Sequence, residues 1–208
     1  MLYKKGAEAN LYLEDWYNKK IIRKHRYKKL YRNNKLDFQL RKYRTFHEAK
    51  LLLESRKIGV PTPIIFLIDI KNTTINMEFI PGKQIKKVLM KLPNKVEICN
   101  EIGKQIGILH SHNVIHGDLT TSNMILTKTS KIFFIDFGLG SFSTSIEDIG
   151  VDLHLIKKAL ESTHYNIAEI CFDAILSGYK QKIGEDLFSK IKLKLEEIET
   201  RGRYFDRS

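Results

Sequence analysis

The sequence predicts an α+β, bilobal fold, with a small β-rich lobe carrying one helix followed by a lobe built almost wholly of helices. Three observations carry this. Short runs rich in Leu, Ile, Tyr and Trp, broken by turn residues, fill most of the first 80 positions. Pro81-Gly82 then interrupts the chain. Beyond it, apolar residues recur at helical spacing nearly to the end. The expected boundaries are 1–80 for the first lobe, 81–200 for the second and 201–208 for a basic tail. A chain of 208 residues that is 42% hydrophobic can bury a core of this size.

Taken in order, LYKK (2–5), NLYLEDWY (10–17) and IIRKHRYKKLY (21–31) read as strands, separated by Gly6 and by a polar turn near Asn18. From Leu36 to Ile58 the pattern turns helical, with Leu36, Leu40, Tyr43 and His47 on one face and Ala49, Leu52 and Leu53 continuing it. Gly59-Val60-Pro61-Thr62-Pro63 stops that helix, because proline cannot continue it and biases the preceding residue to extended backbone. IIFLIDI (64–70) and TTINMEFI (73–80) flank a turn at Lys71-Asn72, giving about five strands and one helix. In the second lobe, Val96, Ile102, Ile106 and Leu109 mark a helix that ends near His110 to Asn113. Met124 to Phe134 is the one strand-like stretch. Asp152–Leu160, Ile167–Tyr179 and Leu187–Glu199 supply three further helices.

Lys and Arg number 36 against 24 Asp and Glu, a net charge of +12 that favours polyanionic partners. The segment from Lys19 to Arg44 carries +11 of it, with Asp37 its single acid. Arg41, Lys42 and Arg44 in that segment, and Arg201 and Arg203 at the end, are the candidate contacts for nucleic acid or a partner protein. Tyr27, Tyr31 and Tyr43 interleave with these charges, as suits nucleic acid or a half-buried strand edge. A plainly solvated basic face is the competing reading. Four prolines and twelve glycines exclude collagen-like and low-complexity chains, and no apolar run approaches the roughly 18 residues of a membrane span. Cys99 and Cys171 stand far apart in sequence, which points to reduced, packed thiols rather than a disulfide framework or zinc site. The N-terminus has no apolar leader, so a reducing cytoplasm is the expected location.

Two strings in the second lobe carry chemistry. His116-Gly117-Asp118-Leu119-Thr120-Thr121-Ser122-Asn123 runs straight into the strand-like Met124-Ile125-Leu126, and Ile135-Asp136-Phe137-Gly138 follows. Their order and spacing resemble the protein-kinase family, whose signature is HxDLxxxxN then DFG. A phosphoryl-transfer site needs a carboxylate beside the attacking hydroxyl and oxygen ligands for Mg²⁺ on the nucleotide phosphates. The resemblance makes Asp118 the catalytic base, Asn123 and Asp136 the metal ligands, and ATP with Mg²⁺ the cofactors. It casts Lys24 as the phosphate-binding lysine and Glu48 as the helix glutamate that aims it. Lys19, Lys20, Lys28 and Lys29 compete with Lys24 for that role. Gly6-Ala7-Glu8-Ala9 stands where the phosphate-covering loop belongs, with one glycine rather than three. Met77, Glu78, Phe79 and Ile80 fall at the adenine-binding hinge, or simply form an edge strand. Asp152 matches the aspartate that braces the catalytic loop; a helix N-cap is the alternative.

Departures from the common pattern narrow the resemblance. Gly117 replaces an arginine, no A-P-E string occurs, and only Leu139 to Ile146 separates DFG from Glu147-Asp148. The activation segment is therefore very short, and Ser141, Ser143, Thr144 and Ser145 in it are autophosphorylation candidates or merely a polar loop. Lys24, Arg26, Tyr31 and Arg32 (KxRxxxxYR), HGDLTTSNMI, IDFGLG and the terminal RGR together resemble the small atypical kinases of the KEOPS complex, the PRPK type. That resemblance spans essentially the whole chain. It implies an ATP-using Ser/Thr kinase or ATPase required for threonylcarbamoyl-adenosine in tRNA, with a threonylcarbamoyl-transferring metalloprotein, other KEOPS subunits and tRNA as partners. The alternatives are a RIO-like kinase in ribosome assembly, a small-molecule sugar phosphotransferase, or a non-enzymatic tRNA-binding scaffold that holds a nucleotide.

Overall fold

The computed structural model describes the backbone of residues 1–205 and the side chains of residues 1–201. Leu2–Lys5 (β1), Asn10–Trp16 (β2) and Lys19–His25 (β3) form an antiparallel meander. Tyr17 and Asn18, with φ of 46° and 61°, make the two-residue turn between β2 and β3, whose left-handed backbone suits the strand twist. Helix α1 (Asn34–Lys57) follows, then β4 (Ile65–Asp69) and β5 (Thr74–Glu78). The five strands order as β1-β2-β3-β5-β4, all antiparallel. This is the lobe of five strands and one helix that the sequence predicts.

One boundary differs. The third run was expected to stay extended to Tyr31, yet β3 stops at His25. The chain is drawn away by specific partners: the Arg26 N–H donates to the Thr73 carbonyl at 3.0 Å, and the Tyr27 hydroxyl donates to the Gly6 and Ala7 carbonyls. The Lys29 N–H donates to the Asp37 carboxylate at 3.1 Å. Asn33 then caps α1, its side-chain oxygen accepting from the N–H groups of Lys35 and Leu36.

The second lobe opens with an element the periodicity missed. Pro81-Gly82 is a joint, but Gly82–Gln84 (β6) already pairs with β8 (Met124–Thr127), which pairs in turn with β9 (Ile132–Phe134). A Cβ on Gly82 would stand 2.6 Å from the Leu126 carbonyl oxygen, so the joint requires glycine for a close strand approach. A short helix α2 (Ile85–Val88), the helix α3 (Lys95–Ser111) and the two-residue strand β7 (Val114–Ile115) complete the first half. β7 pairs with β10 (Ser141–Phe142), and α4 (Ile146–Thr163), α5 (Ala168–Ile183) and α6 (Glu185–Phe205) follow. The expected separate tail is not separate: positions 201–205 continue α6. Asp206 and Arg207, at the basic terminus, lie outside the described residues.

The helices α3 and α5 form the tightest pair. A Cβ at Gly103 would lie 1.9 Å from the Ile175 carbonyl oxygen, and one at Gly178 would lie 1.9 Å from that of Asn100. Cys99 and Cys171 sit in this same seam as buried free thiols, side by side although 72 positions separate them. Replacing Gly178 with Ala is expected to lower the unfolding free energy by about 3 kcal/mol, because the two backbones must part. Urea denaturation measures it, and a loss under about 0.5 kcal/mol would show that the seam opens freely. Leu51 and Leu52 from α1 share one apolar cluster with Leu109, Phe134, Phe137 and Ile156 of the second lobe. The core thus crosses between the lobes and fixes the cleft they enclose.

Candidate active site

Lys24 and Arg26 lie two apart on β3 and its exit, so both side chains leave the same face, toward α1. There they meet Glu48, fully buried on α1. The Lys24 ammonium donates to Glu48 Oε1 at 2.7 Å, and the Arg26 guanidinium donates to Oε2 at 2.7 Å. Lys24 also reaches across the cleft to Asp136 Oδ1, again at 2.7 Å. Burial alone would lower the pKa of Lys24, but the Glu48 and Asp136 carboxylates outweigh it and hold the ammonium above its ordinary value. For Asp136, burial raises the pKa and Lys24 more than reverses it, leaving the carboxyl below its usual range. Asp136 adopts φ of 64°, a left-handed backbone uncommon for residues other than glycine, which turns its carboxylate into the cleft. Of the competing lysines, Lys20 pairs with exposed Asp15 and Lys29 with the Ala7 carbonyl, and Lys19 and Lys28 are exposed, whereas Lys24 is buried at the cleft.

The catalytic-type loop hangs between β7 and a short 3₁₀ turn at Thr121–Asn123. Asn123 folds back so that its Nδ2 donates to the Asp118 carbonyl at 2.9 Å and to Asp118 Oδ2 at 2.8 Å. Asp152 braces the loop from below. Its carboxylate accepts the N–H groups of His116 at 2.8 Å and Gly117 at 2.9 Å, and also lies 3.2 Å from His110 Nε2. Burial raises the Asp152 pKa, but His110 and these N–H donors prevail and hold it low. The alternative role for Asp152, a helix N-cap, does not occur. Ser145 caps α4, accepting from the Asp148 N–H, and Asp152 sits in the helix interior. Gly117 has φ of 75°, and a Cβ there would stand 2.1 Å from the Leu139 carbonyl oxygen. The residue that departs from the common kinase pattern is therefore one the short activation segment requires.

The cleft continues into two joined cavities. The larger, about 580 Å³, is lined by Ile22, Met77, Glu78, Phe79, Ile80 and Ile125 among others, an apolar slot beside the interlobe connection. Asn123, Lys24 and Asp136 close its inner end. The smaller, about 280 Å³, lies under Gly6 to Ala9 and is walled by Lys24, Arg26, Arg44, Asp118 and Asp136. The single glycine of the covering loop has a local cause: the Gly6 N–H donates to the Ala9 carbonyl at 3.0 Å, and a Cβ on Gly6 would lie 2.7 Å from that oxygen. The expected site residues Gly6, Ala7, Glu8, Ala9, Lys24, Glu48, Glu78, Ile80, Asp118, Asn123 and Asp136 thus surround one cleft or its immediate support.

The expected polyanion contacts do not form one free surface. Arg41 is committed to the protein interior, bonding buried Asp37 at 2.7 Å, the Thr73 hydroxyl at 2.8 Å and the Arg26 carbonyl at 3.3 Å. Arg44 turns to Glu8 in the cleft. Arg201 pairs with Glu147 at 2.6 Å and so ties α6 to the start of α4. Lys42 is exposed, without an ion pair among the described residues, and the Arg203 side chain lies outside them. Of the polar candidates in the short segment, Ser143 bonds the Asp148 carboxylate and the Ser145 N–H, so Ser143 and Ser145 already serve as helix-start anchors. Sequence reading missed Arg26 as the second cation on Glu48, although its two-residue offset from Lys24 was the available signal. It also missed the Tyr179–His110–Asp152 chain, whose members are up to 69 positions apart.

The chain is similar to several known proteins. The profile of the RIO domain matches residues 13–141. The KEOPS complex subunit Bud32 of Pyrococcus abyssi is 48% identical over 100% of this chain and 97% of its own length. The EKC/KEOPS complex subunit bud32 of Dictyostelium discoideum is 43% identical over 98% of this chain and 82% of its own. A probable bifunctional tRNA threonylcarbamoyladenosine biosynthesis protein of Methanothermobacter thermautotrophicus is 45% identical over 97% of this chain, which spans only 36% of that longer protein. Among solved structures, the Rio2 kinase of Chaetomium thermophilum, determined as an ADP/Mg²⁺-phosphoaspartate complex, superposes with a TM-score of 0.65 at 18% identity. It covers 93% of this chain and 70% of its own.

Proposed function

The chain belongs to the RIO-domain family of kinase-like proteins, in its Bud32 group, and on that premise we propose that it is the ATP–Mg²⁺-dependent kinase/ATPase subunit of a KEOPS complex serving threonylcarbamoyl-adenosine modification of tRNA. The observation that carries this is the convergence of Lys24, Glu48, Asp118, Asn123 and Asp136 on one cleft from four separate parts of the chain. Adenine fits the apolar slot, where Glu78 and Ile80 present backbone groups along the connection between the lobes. Lys24, aimed by Glu48, meets the α- and β-phosphates. The donor set suits Mg²⁺: Asn123 spends its Nδ2 on Asp118, leaving the hard oxygen Oδ1 as an acceptor in a cavity that Asp136 also lines. Asn123 and Asp136 would hold the ion from the protein side, with nucleotide phosphate oxygens and water as its further ligands. When bound, the ion neutralises charge developing on the phosphates.

Asp118 is the base. Its Oδ2 is held by Asn123, which leaves Oδ1 to take the proton of an attacking hydroxyl or water. The activation segment favours small or partner-presented acceptors over an extended peptide. It runs from Gly138 to α4 in seven residues and is spent on structure: Ser141 and Phe142 pair with β7, and the Ser143 N–H donates to the Asn113 carbonyl. Serine/threonine kinase activity and ATP hydrolysis both follow from the same base and cofactor. The relatives named as KEOPS complex subunits, and those that carry this domain within a longer bifunctional tRNA threonylcarbamoyladenosine biosynthesis protein, support other KEOPS subunits, a threonylcarbamoyl-transferring metalloprotein among them, and tRNA as partners. No described helix is long and apolar enough to cross a membrane; a cytoplasmic site of action fits a tRNA-modifying role.

The test is to purify the chain with its KEOPS partners and follow MgATP hydrolysis with and without tRNA. Mg²⁺-dependent turnover that rises severalfold on adding partner and tRNA is expected. Absence of Mg²⁺-dependent nucleotide binding, alone and in the complex, overturns the reading.

A further inference from the structure

The phosphate end of the cleft is lined by four cations: exposed Lys4 at its rim and three others in different states. Lys24 is fixed by two carboxylates, and Arg26 is sealed inside with Glu48. Arg44 is not sealed. It projects from α1 one turn before Glu48, its side chain is 32% exposed, and among the described residues its one close carboxylate partner is Glu8 on the covering turn. Glu8 is itself 47% exposed, with Arg32 at the outer limit of pairing at 3.9 Å. An acid in this position is unexpected. A loop that covers phosphates should repel them if it carries a carboxylate, and a negative group at the same mouth competes for every cation there. The carboxyl is nonetheless kept ionised: partial burial raises its pKa, but Arg44, Arg32 and Lys29 outweigh this and hold it below its usual range. Glu8 thus presents to Arg44 the same fork-shaped anionic oxygens that a terminal phosphate presents.

Building on the nucleotide-binding reading, we propose that Arg44 is a phosphate-binding residue of this site, which Glu8 holds in the cleft and releases to the terminal phosphates of ATP. The geometry supplies each requirement. Arg44 shares the cavity with Lys24, Asp118 and Asp136, and its helix is anchored by the Glu48 cluster one turn on. Both members of the pair are exposed enough for the exchange, whereas those of Lys24 and Glu48 are not. The covering turn keeps its place after the exchange, because Tyr27 and Lys29 hold the Gly6 and Ala7 carbonyls independently of Glu8.

The experiment titrates the full-length chain, wild type and the variants Arg44→Gln, Arg44→Lys and Glu8→Gln, with MgATP, MgADP and adenosine. Arg44→Gln is expected to weaken MgATP roughly tenfold, the loss of one charge-assisted contact, while adenosine stays within about twofold. Arg44→Lys recovers part of the loss. Glu8→Gln is expected to bind MgATP tighter, by about threefold or more, because a competing anion is gone. If Arg44→Gln and Glu8→Gln weaken all three ligands alike, the pair is a strut for the loop and the proposal is overturned. It is equally overturned if Arg44→Gln leaves MgATP affinity unchanged. Failure of the wild type to bind MgATP at all is a different result, which removes the nucleotide reading itself.

Discussion

Asp136→Ala is expected to cut ATP turnover about a thousandfold, the equivalent of about 4 kcal/mol of transition-state stabilisation carried through the metal. The residue has two tasks. On the proposed reading it would offer the carboxylate that holds Mg²⁺ against the phosphates, and it accepts from Lys24, which Glu48 holds as well. Removing it therefore weakens MgATP binding as well as turnover. Asp118→Ala should separate from it. Among the described residues its carboxylate hydrogen-bonds only Asn123, so as the proposed base its loss should lower turnover by about 10²–10⁴-fold while MgATP affinity stays close to wild type. Parallel titration and single-turnover assays distinguish the two patterns. Turnover at wild-type level in both variants would mean that neither carboxylate takes part in the reaction.

Glu48→Ala has the largest expected effect on stability. Glu48 accepts from Lys24 through one oxygen and from Arg26 through the other, all three side chains nearly or wholly buried. Without the carboxylate, Arg26 is left in the interior with no acid, and its Nε and Nη1 have no partner even in the intact protein. Breaking a buried ion cluster from one side costs about 3–5 kcal/mol. Denaturant unfolding measures this, and a loss below about 1 kcal/mol would show that solvent reaches the cluster. The triple variant Lys24→Met, Arg26→Met, Glu48→Leu makes the complementary point. Apolar groups of similar volume should restore most of the stability, yet the protein should remain inactive. The cluster is kept for placing a charge, and its contribution to stability is a consequence of being buried once there.

The elements were legible in the sequence wherever a local pattern decided them. Strands β1, β2, β4 and β5 and helices α1, α3, α5 and α6 follow from alternation or helical periodicity, with stops at Gly59 to Pro63 and near Asn113. Where long-range partners decided, the reading failed. Tyr27 to Tyr31 have strand composition, but the hydrogen bonds that peel them off β3 come from Thr73, Gly6, Ala7 and Asp37. Gly82–Gln84 is too short to show a period and becomes a strand only because β8 passes beside it. Asp152 lies inside a helix whose first turn the periodicity did not register, so cap and brace looked alike until Ser145 was seen to cap.

The sequence alone determined the fold class and the order of the chemical groups, because HGDLTTSN, IDFG and the strand-helix rhythm are local properties of neighbouring residues. It also determined that the chain is strongly basic. Only the tertiary structure decided what that basicity is for. Lys24 and Asp136 are 112 positions apart, Arg201 and Glu147 are 54, and Arg44 and Glu8 are 36. A charge is neutralised, buried or left free by whichever opposite charge the fold brings within a few ångströms, and no local pattern records that distance. Thus the run from Lys19 to Arg44, uniform as a sequence, divides into a lysine held by two carboxylates at Lys24, a buried clamp at Arg26, a structural strut at Arg41 and a cleft arginine at Arg44. Arg23, Lys29 and Arg32 are half-buried against local partners, while Lys19, Lys20, Lys28, Lys35 and Lys42 are exposed.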